Sequence, residues 1–318
     1  MLSRLSHSLN PQKTHFYSSS GGNAGLAAVH AARSLSRPAT VVVPTSTKPL
    51  MLAKIRAAGA SEVLQVGASW ADADAYLRET VIPEARARGE DAVYVPPFDD
   101  PEIWAGNATM VEEMARQLPG LCGEEGAAPD VVVCSVGGGG LLNGVVEGIE
   151  KLEGKWRDAV VLAVETTGAD SLAQSLKQGS HVTLPGISSL ATSLGATRVS
   201  ERTYEIATTR EWVKSVVLSD EEAAMGSWRL ADDERLIVEL ACGVNVSLCY
   251  GGRLEKALGR AVRPEDKVVI VVCGGSAVTI DMLAQWKQDF GNLGDETSRE
   301  EKKTVPSAVS LTNGTQAA

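Results

Sequence analysis

Val131-Val132-Val133-Cys134-Ser135-Val136-Gly137-Gly138-Gly139-Gly140-Leu141-Leu142 decides how the rest of this chain is read. A run of β-branched residues long enough for a buried strand meets four consecutive glycines, and an apolar helical pattern follows. Strand, glycine turn and helix start come in the order an anion site needs. Glycines let backbone N–H groups approach a bound group without a Cβ in the way. The following helix adds unpaired N–H groups and the positive end of its dipole. A phosphate is the natural guest. No Lys-Ser or Lys-Thr follows the glycines and the spacing differs from G-x-G-x-x-G, so a nucleotide is not the first reading. The plainer alternative, a tight turn that only returns the chain to a helix, suits four successive glycines less well.

The same alternation of strand and helix extends in both directions. Upstream, residues 14–19 are strand-like and enter Ser20-Gly21-Gly22-Asn23-Ala24-Gly25, which opens an alanine-rich helix to about residue 35. Strands are expected at 40–43, 62–66 and 92–95, with helices at 49–58 and 69–88 between them. Pro96-Pro97-Phe98-Asp99-Asp100-Pro101 is rich in breakers and marks a crossing between two domains, before a helix at 104–118. Downstream, the helix after the glycines runs to about residue 152. A strand at 160–165 ends on Glu165, another covers 212–218, and Ser219 caps a helix whose first turn is acidic. A last strand at 267–273 runs into Gly274-Gly275-Ser276 and a final helix. From 291 the chain is polar and aperiodic and reads as disordered. The fold class is therefore α/β, with mostly parallel, twisted sheets flanked by helices and with ligands at the carboxyl ends of strands. The expected division is a smaller domain at 1–100, a larger one at 101–290 and a tail at 291–318.

Composition narrows the function. At 318 residues, 44% hydrophobic and 22% charged, the chain is long enough for one large or two modest domains. A net charge of −10 argues against nucleic acid as the main partner. No apolar run reaches membrane-span length. Cys122, Cys134, Cys242, Cys249 and Cys273 are an odd number without CxxC pairs, and read as reduced thiols with no metal cluster. The first acidic residue is Glu62, after seven basic ones, a balance that suits an anionic ligand. The Ser- and Arg-bearing start also has the character of a mitochondrial leader, although the acid-free region runs far beyond one, and a cytoplasmic location is the main expectation. Three strand ends carry small-residue turns, at 19–25, 136–140 and 273–276, and together they describe one cleft able to hold a phosphate beside a carboxylate.

Four stretches carry a resemblance. Ser19-Ser20-Gly21-Gly22-Asn23-Ala24-Gly25, Pro97-Phe98-Asp99-Asp100-Pro101 with Ile103-Trp104, Ser135-Val136-Gly137-Gly138-Gly139-Gly140-Leu141 and Val272-Cys273-Gly274-Gly275-Ser276 resemble the L-serine dehydratase (L-serine/L-threonine deaminase) family. These are pyridoxal-phosphate enzymes of the tryptophan-synthase-β group, fold type II, and the motifs stand in family order from about residue 10 to 290. The resemblance implies β-elimination of L-serine to pyruvate and ammonia, with L-threonine going to 2-oxobutanoate, in a homodimer acting on small amino acids. It implies that Gly137, Gly138, Gly139, Gly140 and Leu141 hold the cofactor phosphate and that Asn23 meets its 3′-oxygen. Ser20, Gly21, Gly22 and Ala24 would receive the substrate carboxylate, and Cys273 would lie beside the pyridine nitrogen as a weak, neutral partner. It also implies a site for K+ or another monovalent cation at Glu165, Ala169, Ser171, Leu194 and Ala196, oxygen ligands of the kind a hard cation takes. A solvated strand-end charge is the competing reading of Glu165.

One expected part is not in the sequence. The family carries its Schiff-base lysine in a Ser-x-Lys-x-Arg-Gly motif ahead of the asparagine loop, and these 318 residues contain no such motif. Counting back from Asn23, the lysine would fall before Met1, so the larger domain is expected to lack its N-terminal part and this chain to be of low stability. Lys13, Lys48 and Lys54 stand in the wrong units for the role. Two alternatives stay open: a non-catalytic cofactor-binding relative, and another β-replacing or β-eliminating enzyme of the same fold.

Overall fold

The computed structural model describes residues 1–8 and 10–304. Its strands are β1 (Thr14–Ser18), β2 (Ala39–Val43), β3 (Glu62–Gln65), β4 (Asp91–Tyr94), β5 (Val131–Ser135), β6 (Val160–Thr166), β7 (Val213–Leu218) and β8 (Val268–Ile270). They form two four-stranded sheets, ordered β3-β2-β1-β4 and β7-β6-β5-β8. Every pairing is parallel, with Phe16 opposite Ala39 in the first sheet and Val131 opposite both Val160 and Val268 in the second. Parallel neighbours need crossovers, and helices supply them on both faces.

Burial on both faces explains why the strands read as unbroken apolar runs. Along β5, Val132 and Cys134 point into one cluster with Leu142, Val145, Ile149 and Leu172, while Val131 and Val133 point into another with Ala223, Leu240, Val244 and Trp286. The smaller sheet repeats the pattern: Phe16, Val41 and Val43 pack on Val29, Ala32 and Ile55, and Tyr17 and Val42 pack on Ala73, Leu77 and Ala85. Among the described residues no helix is long and apolar enough to cross a membrane.

Three local expectations are corrected. The helix expected at 69–88 is two α-helices, Trp70–Tyr76 and Ile82–Ala87, joined by a π-helical segment, Leu77–Val81. Pro83 is the cause, because it has no N–H to give to the preceding turn and its ring crowds the carbonyl four residues back. The last strand spans Val268–Ile270 instead of 267–273: it sits at a sheet edge, and past Val271 the backbone leaves β5 for Gly274 and Gly275, both at positive φ. The final helix, Ile280–Thr304, continues past 291, where Glu, Lys and Arg are good helix formers although the sequence carries no apolar period. The rest of the expected tail, residues 305–318, lies outside the described residues.

Candidate active site

The first loop leaves β1 at its carboxyl end. Ser19 Oγ donates to Asp74 Oδ1 at 2.7 Å and Tyr94 Oη donates to the same oxygen at 2.5 Å, which fastens the loop base to the smaller half. Ser20, Gly21, Gly22 and Ala24 are half-buried around Asn23, which opens the helix Asn23–Ser34. A Cβ at position 25 would lie 1.8 Å from the Ser20 carbonyl, so the loop folds back on its own helix only with glycine there.

The second loop follows β5. Gly139 has φ +94°, a left-handed conformation, and Gly140 begins the helix Gly140–Lys151, whose first-turn N–H groups have no intrahelical acceptor. Leu141 lies in that first turn. The Gly138 carbonyl accepts from the Ser200 N–H at 2.9 Å. Behind it, Ser200, Thr203 and Asn143 form a buried ring of hydrogen bonds at 2.8–3.1 Å. Phe98 packs so tightly on the loop that a Cβ at Gly138 would sit 2.2 Å from its ring. Its carbonyl is held by Trp104 Nε1 at 2.8 Å.

The third loop joins the other two. Asn23 Oδ1 accepts from the Ser276 N–H at 3.0 Å and from Ser276 Oγ at 2.9 Å, while Asn23 Nδ2 donates to Glu239 at 2.6 Å and to Ser193 Oγ at 3.3 Å. Next to Ser193, Leu194 lies against Gly137. A chain of direct contacts therefore links the asparagine loop, the tetraglycine loop and the Cys-Gly-Gly-Ser loop. Cys273 keeps an exposed face, yet desolvation by the protein packed around it, helped by Cys242 and Glu239, pushes its thiol up to about 11. It is neutral at physiological pH. Lys54 Nζ donates to the Ser276 carbonyl, and Lys48 lines an open cleft of about 290 Å³ with Ser193, Glu239 and Ala277. Sequence spacing had set both lysines apart from the site; the helix Pro49–Ala57 that Lys48 caps turns them toward it. Glu239 and Ser193 were also missed, since nothing in their own neighbourhoods distinguishes them; Phe98 stood in a quoted motif without a role assigned to it.

Glu165, the penultimate residue of β6, is fully buried, so it is not a solvated charge. Its oxygens accept from the Leu172 and Ala173 N–H groups at 2.9 and 2.8 Å, capping the helix Ser171–Gln178. Burial pushes its carboxyl up to about 8, partly offset by those two N–H groups, with Asp170 adding to the rise. Ser171 Oγ is buried and has no hydrogen-bond partner. Ala169 and Leu194 share one core cluster, and half-buried Ala196 donates its N–H to the Leu194 carbonyl at 2.7 Å. Among the described residues no group of three or more His, Cys, Asp or Glu side chains could hold a metal. All five cysteines are free thiols.

Comparison with known proteins bears on the family and the fold. Residues 1–274 match the family described as pyridoxal-phosphate dependent enzyme. An L-serine dehydratase of Saccharomyces cerevisiae (strain AWRI1631) is 43% identical over 272 residues, covering 85% of this chain and 79% of that protein. An L-serine dehydratase/L-threonine deaminase of Bos taurus is 38% identical over 279 residues, 87% of this chain and 80% of that one. The crystal structure of a fungal L-serine ammonia-lyase from Rhizomucor miehei superposes with a TM-score of 0.77 at 32% identity, over 89% of this chain and 84% of the other. With that match across most of its length, and with two parallel four-stranded sheets of the type II pattern, the chain belongs to the pyridoxal-phosphate dependent enzyme family.

Proposed function

We propose that this chain is an L-serine dehydratase that releases pyruvate and ammonia from L-serine and 2-oxobutanoate from L-threonine. The observation that carries the reading is the contact of two strand-end loops at Asn23 and Ser276, with Ser193 on the same amide and its neighbour Leu194 against Gly137 of the third loop. The relatives' names supply the substrate. The residues present suit pyridoxal phosphate on grounds internal to the structure. Side chains are barred from the glycine loop by contact with Phe98 and Thr203, the loop sits at a helix N-terminus, and the thiol beside it is uncharged. When bound, the cofactor ring withdraws electrons from the substrate Cα, which is the chemistry this fold cannot supply from side chains alone.

In this reading Gly137–Gly140 and Leu141 hold the phosphate with backbone N–H groups. Asn23 Nδ2 serves the 3′-oxygen. Ser20, Gly21, Gly22 and Ala24 bind the substrate carboxylate, and neutral Cys273 leaves the ring nitrogen without a charged partner. Glu165, Ala169, Ser171, Leu194 and Ala196 hold a monovalent cation, K+ by preference; the unpartnered Ser171 hydroxyl supports a ligand there. Residues 1–100 and 101–290 act as two domains, in a cytoplasmic homodimer. A second reading is a cofactor-binding relative without turnover. Incubating the chain with pyridoxal phosphate and L-serine, with and without a fused Ser-x-Lys-x-Arg-Gly segment ahead of Met1, separates them. Pyruvate formed only with the segment supports the dehydratase; cofactor binding without pyruvate in either form supports the second reading.

A further inference from the structure

Glu239 stands outside every motif quoted above, yet it touches two of the three loops. Its Oε1 accepts from Asn23 Nδ2 at 2.6 Å and its Oε2 from the Ala277 N–H at 3.1 Å. Its own N–H donates to the Gly274 carbonyl at 3.0 Å. The Gly275 backbone passes so close that a Cβ there would lie 2.2 Å from the Glu239 carboxyl carbon. The residue is only 6% exposed.

These partners leave the Asn23 amide a single orientation. The Ser276 backbone N–H can only donate, so the amide oxygen must face it. A carboxylate can only accept, so the amide nitrogen must face Glu239. With the nitrogen fixed on that side, its second N–H points toward Ser193 Oγ, where the 3.3 Å contact is the longest of the four and the most easily exchanged for a stronger acceptor. Resting on the pyridoxal-phosphate reading, we infer that Glu239 is a positioning residue: it orients Asn23 so that an amide N–H, and not the amide oxygen, is offered to the cofactor's 3′-oxygen, and it ties residues 274–277 to the same point.

Carboxylate chemistry is essential to this role because both partners are donors on separate oxygens. A glutamine of the same shape has one acceptor and one NH2 group, and satisfies Asn23 or Ala277 but not both. The test is a double-mutant cycle on the full chain, with pyridoxal 5′-phosphate as the probe and its dissociation constant read from absorbance and tryptophan quenching. Glu239→Gln is expected to weaken binding about tenfold in the wild-type background and less than about twofold in an Asn23→Ala background, since it acts through Asn23. The absorption band of the bound cofactor is expected to shift between wild type and Glu239→Gln but not between Asn23→Ala and the double variant. Should Glu239→Gln fail to fold, Glu239→Asp, which keeps two acceptors on a shorter stem, takes its place in the cycle. Equal losses in both backgrounds, or no loss in the wild type, would overturn the inference and leave the cofactor reading standing. No saturable binding by the wild-type chain would overturn the cofactor reading, and the inference with it.

Discussion

Replacing Gly139 by alanine should be among the most costly single-methyl additions this fold can receive. At φ +94° a residue with a side chain carries left-handed strain of about 1–2 kcal/mol. The added Cβ would lie 1.8 Å from Thr203 Oγ1 and 2.7 Å from Thr203 Cβ, so the whole of Thr203 must retreat. Thr203 is fully buried and its hydroxyl bonds Asn143 and Ser200, both at 2.8 Å. Breaking those two hydrogen bonds adds about 1 kcal/mol each, for a total of about 3–4 kcal/mol. At about 2–4 °C per kcal/mol, the melting temperature falls by on the order of 10 °C. Gly123→Ala is the matched control, because Gly123 is also left-handed, at φ +65°, but a Cβ there meets nothing within 4 Å. It carries the strain without the collision and should cost only about 1–2 kcal/mol. Thermal and urea melts of the two variants beside the wild type decide the matter. If Gly139→Ala melts no lower than Gly123→Ala, the collision with Thr203 is not real and the tetraglycine loop is less constrained than argued.

Stability should also fall on acidification through a cluster in the smaller sheet. His15, stacked on Tyr17 and bonded to Glu90, is held below the usual histidine range chiefly by burial, with Glu90 pulling the other way. Burial works against ionisation of Glu90, but hydrogen bonds from Tyr17 and Arg88 and the nearness of His15 hold its carboxyl below the usual range. Both groups bind fewer protons folded than unfolded, so their contribution is present above the ordinary histidine value and is lost as pH falls through the folded ones. Melting temperatures recorded downward from pH 8 should drop faster for the wild type than for His15→Gln; parallel curves would dismiss the cluster as the cause. For the proposed cation site, KCl at ten times its dissociation constant should stabilise the chain by about 1.4 kcal/mol relative to tetramethylammonium chloride, and Glu165→Gln should abolish the difference. An undiminished K+ response in that variant would place the ion elsewhere. Finally, borohydride reduction of the chain with pyridoxal phosphate, followed by peptide mass mapping, should leave Lys54 unmodified, because its amine is engaged by the Ser276 carbonyl. A pyridoxyl adduct on Lys54 would assign it a role the spacing argument denied it.

The parts legible in the sequence are those fixed by local rules. Both faces of β5 are covered by helices, so its residues had to be apolar without alternation, and the four glycines after it announced a turn no other residue could make. Ser219 was readable as a cap because its partner, Glu222, lies three residues away, and the structure closes that capping box. What could not be read depends on residues distant in the chain. Phe98 meets Gly138 across forty positions, Asn23 meets Ser276 and Glu239 across more than two hundred, and no periodicity signals such pairs. The π-helical segment before Pro83 was overlooked although proline gave the warning. The cation set came only from resemblance: carbonyl ligands such as those proposed at Leu194 and Ala196 leave no mark on side-chain identity.

The short outer strand β8 bears on how this protein behaves in the test tube. It pairs with β5 on one side, lies at the border of its sheet, and is followed by Val272, which is 43% exposed. Backbone donors and acceptors along such a border, with a greasy neighbour, form a template for any extended polypeptide that drifts past. Concentrated stocks are therefore expected to cloud first through ribbon-to-ribbon adhesion at this border, and a lysine in place of the exposed Val272 should keep them clear.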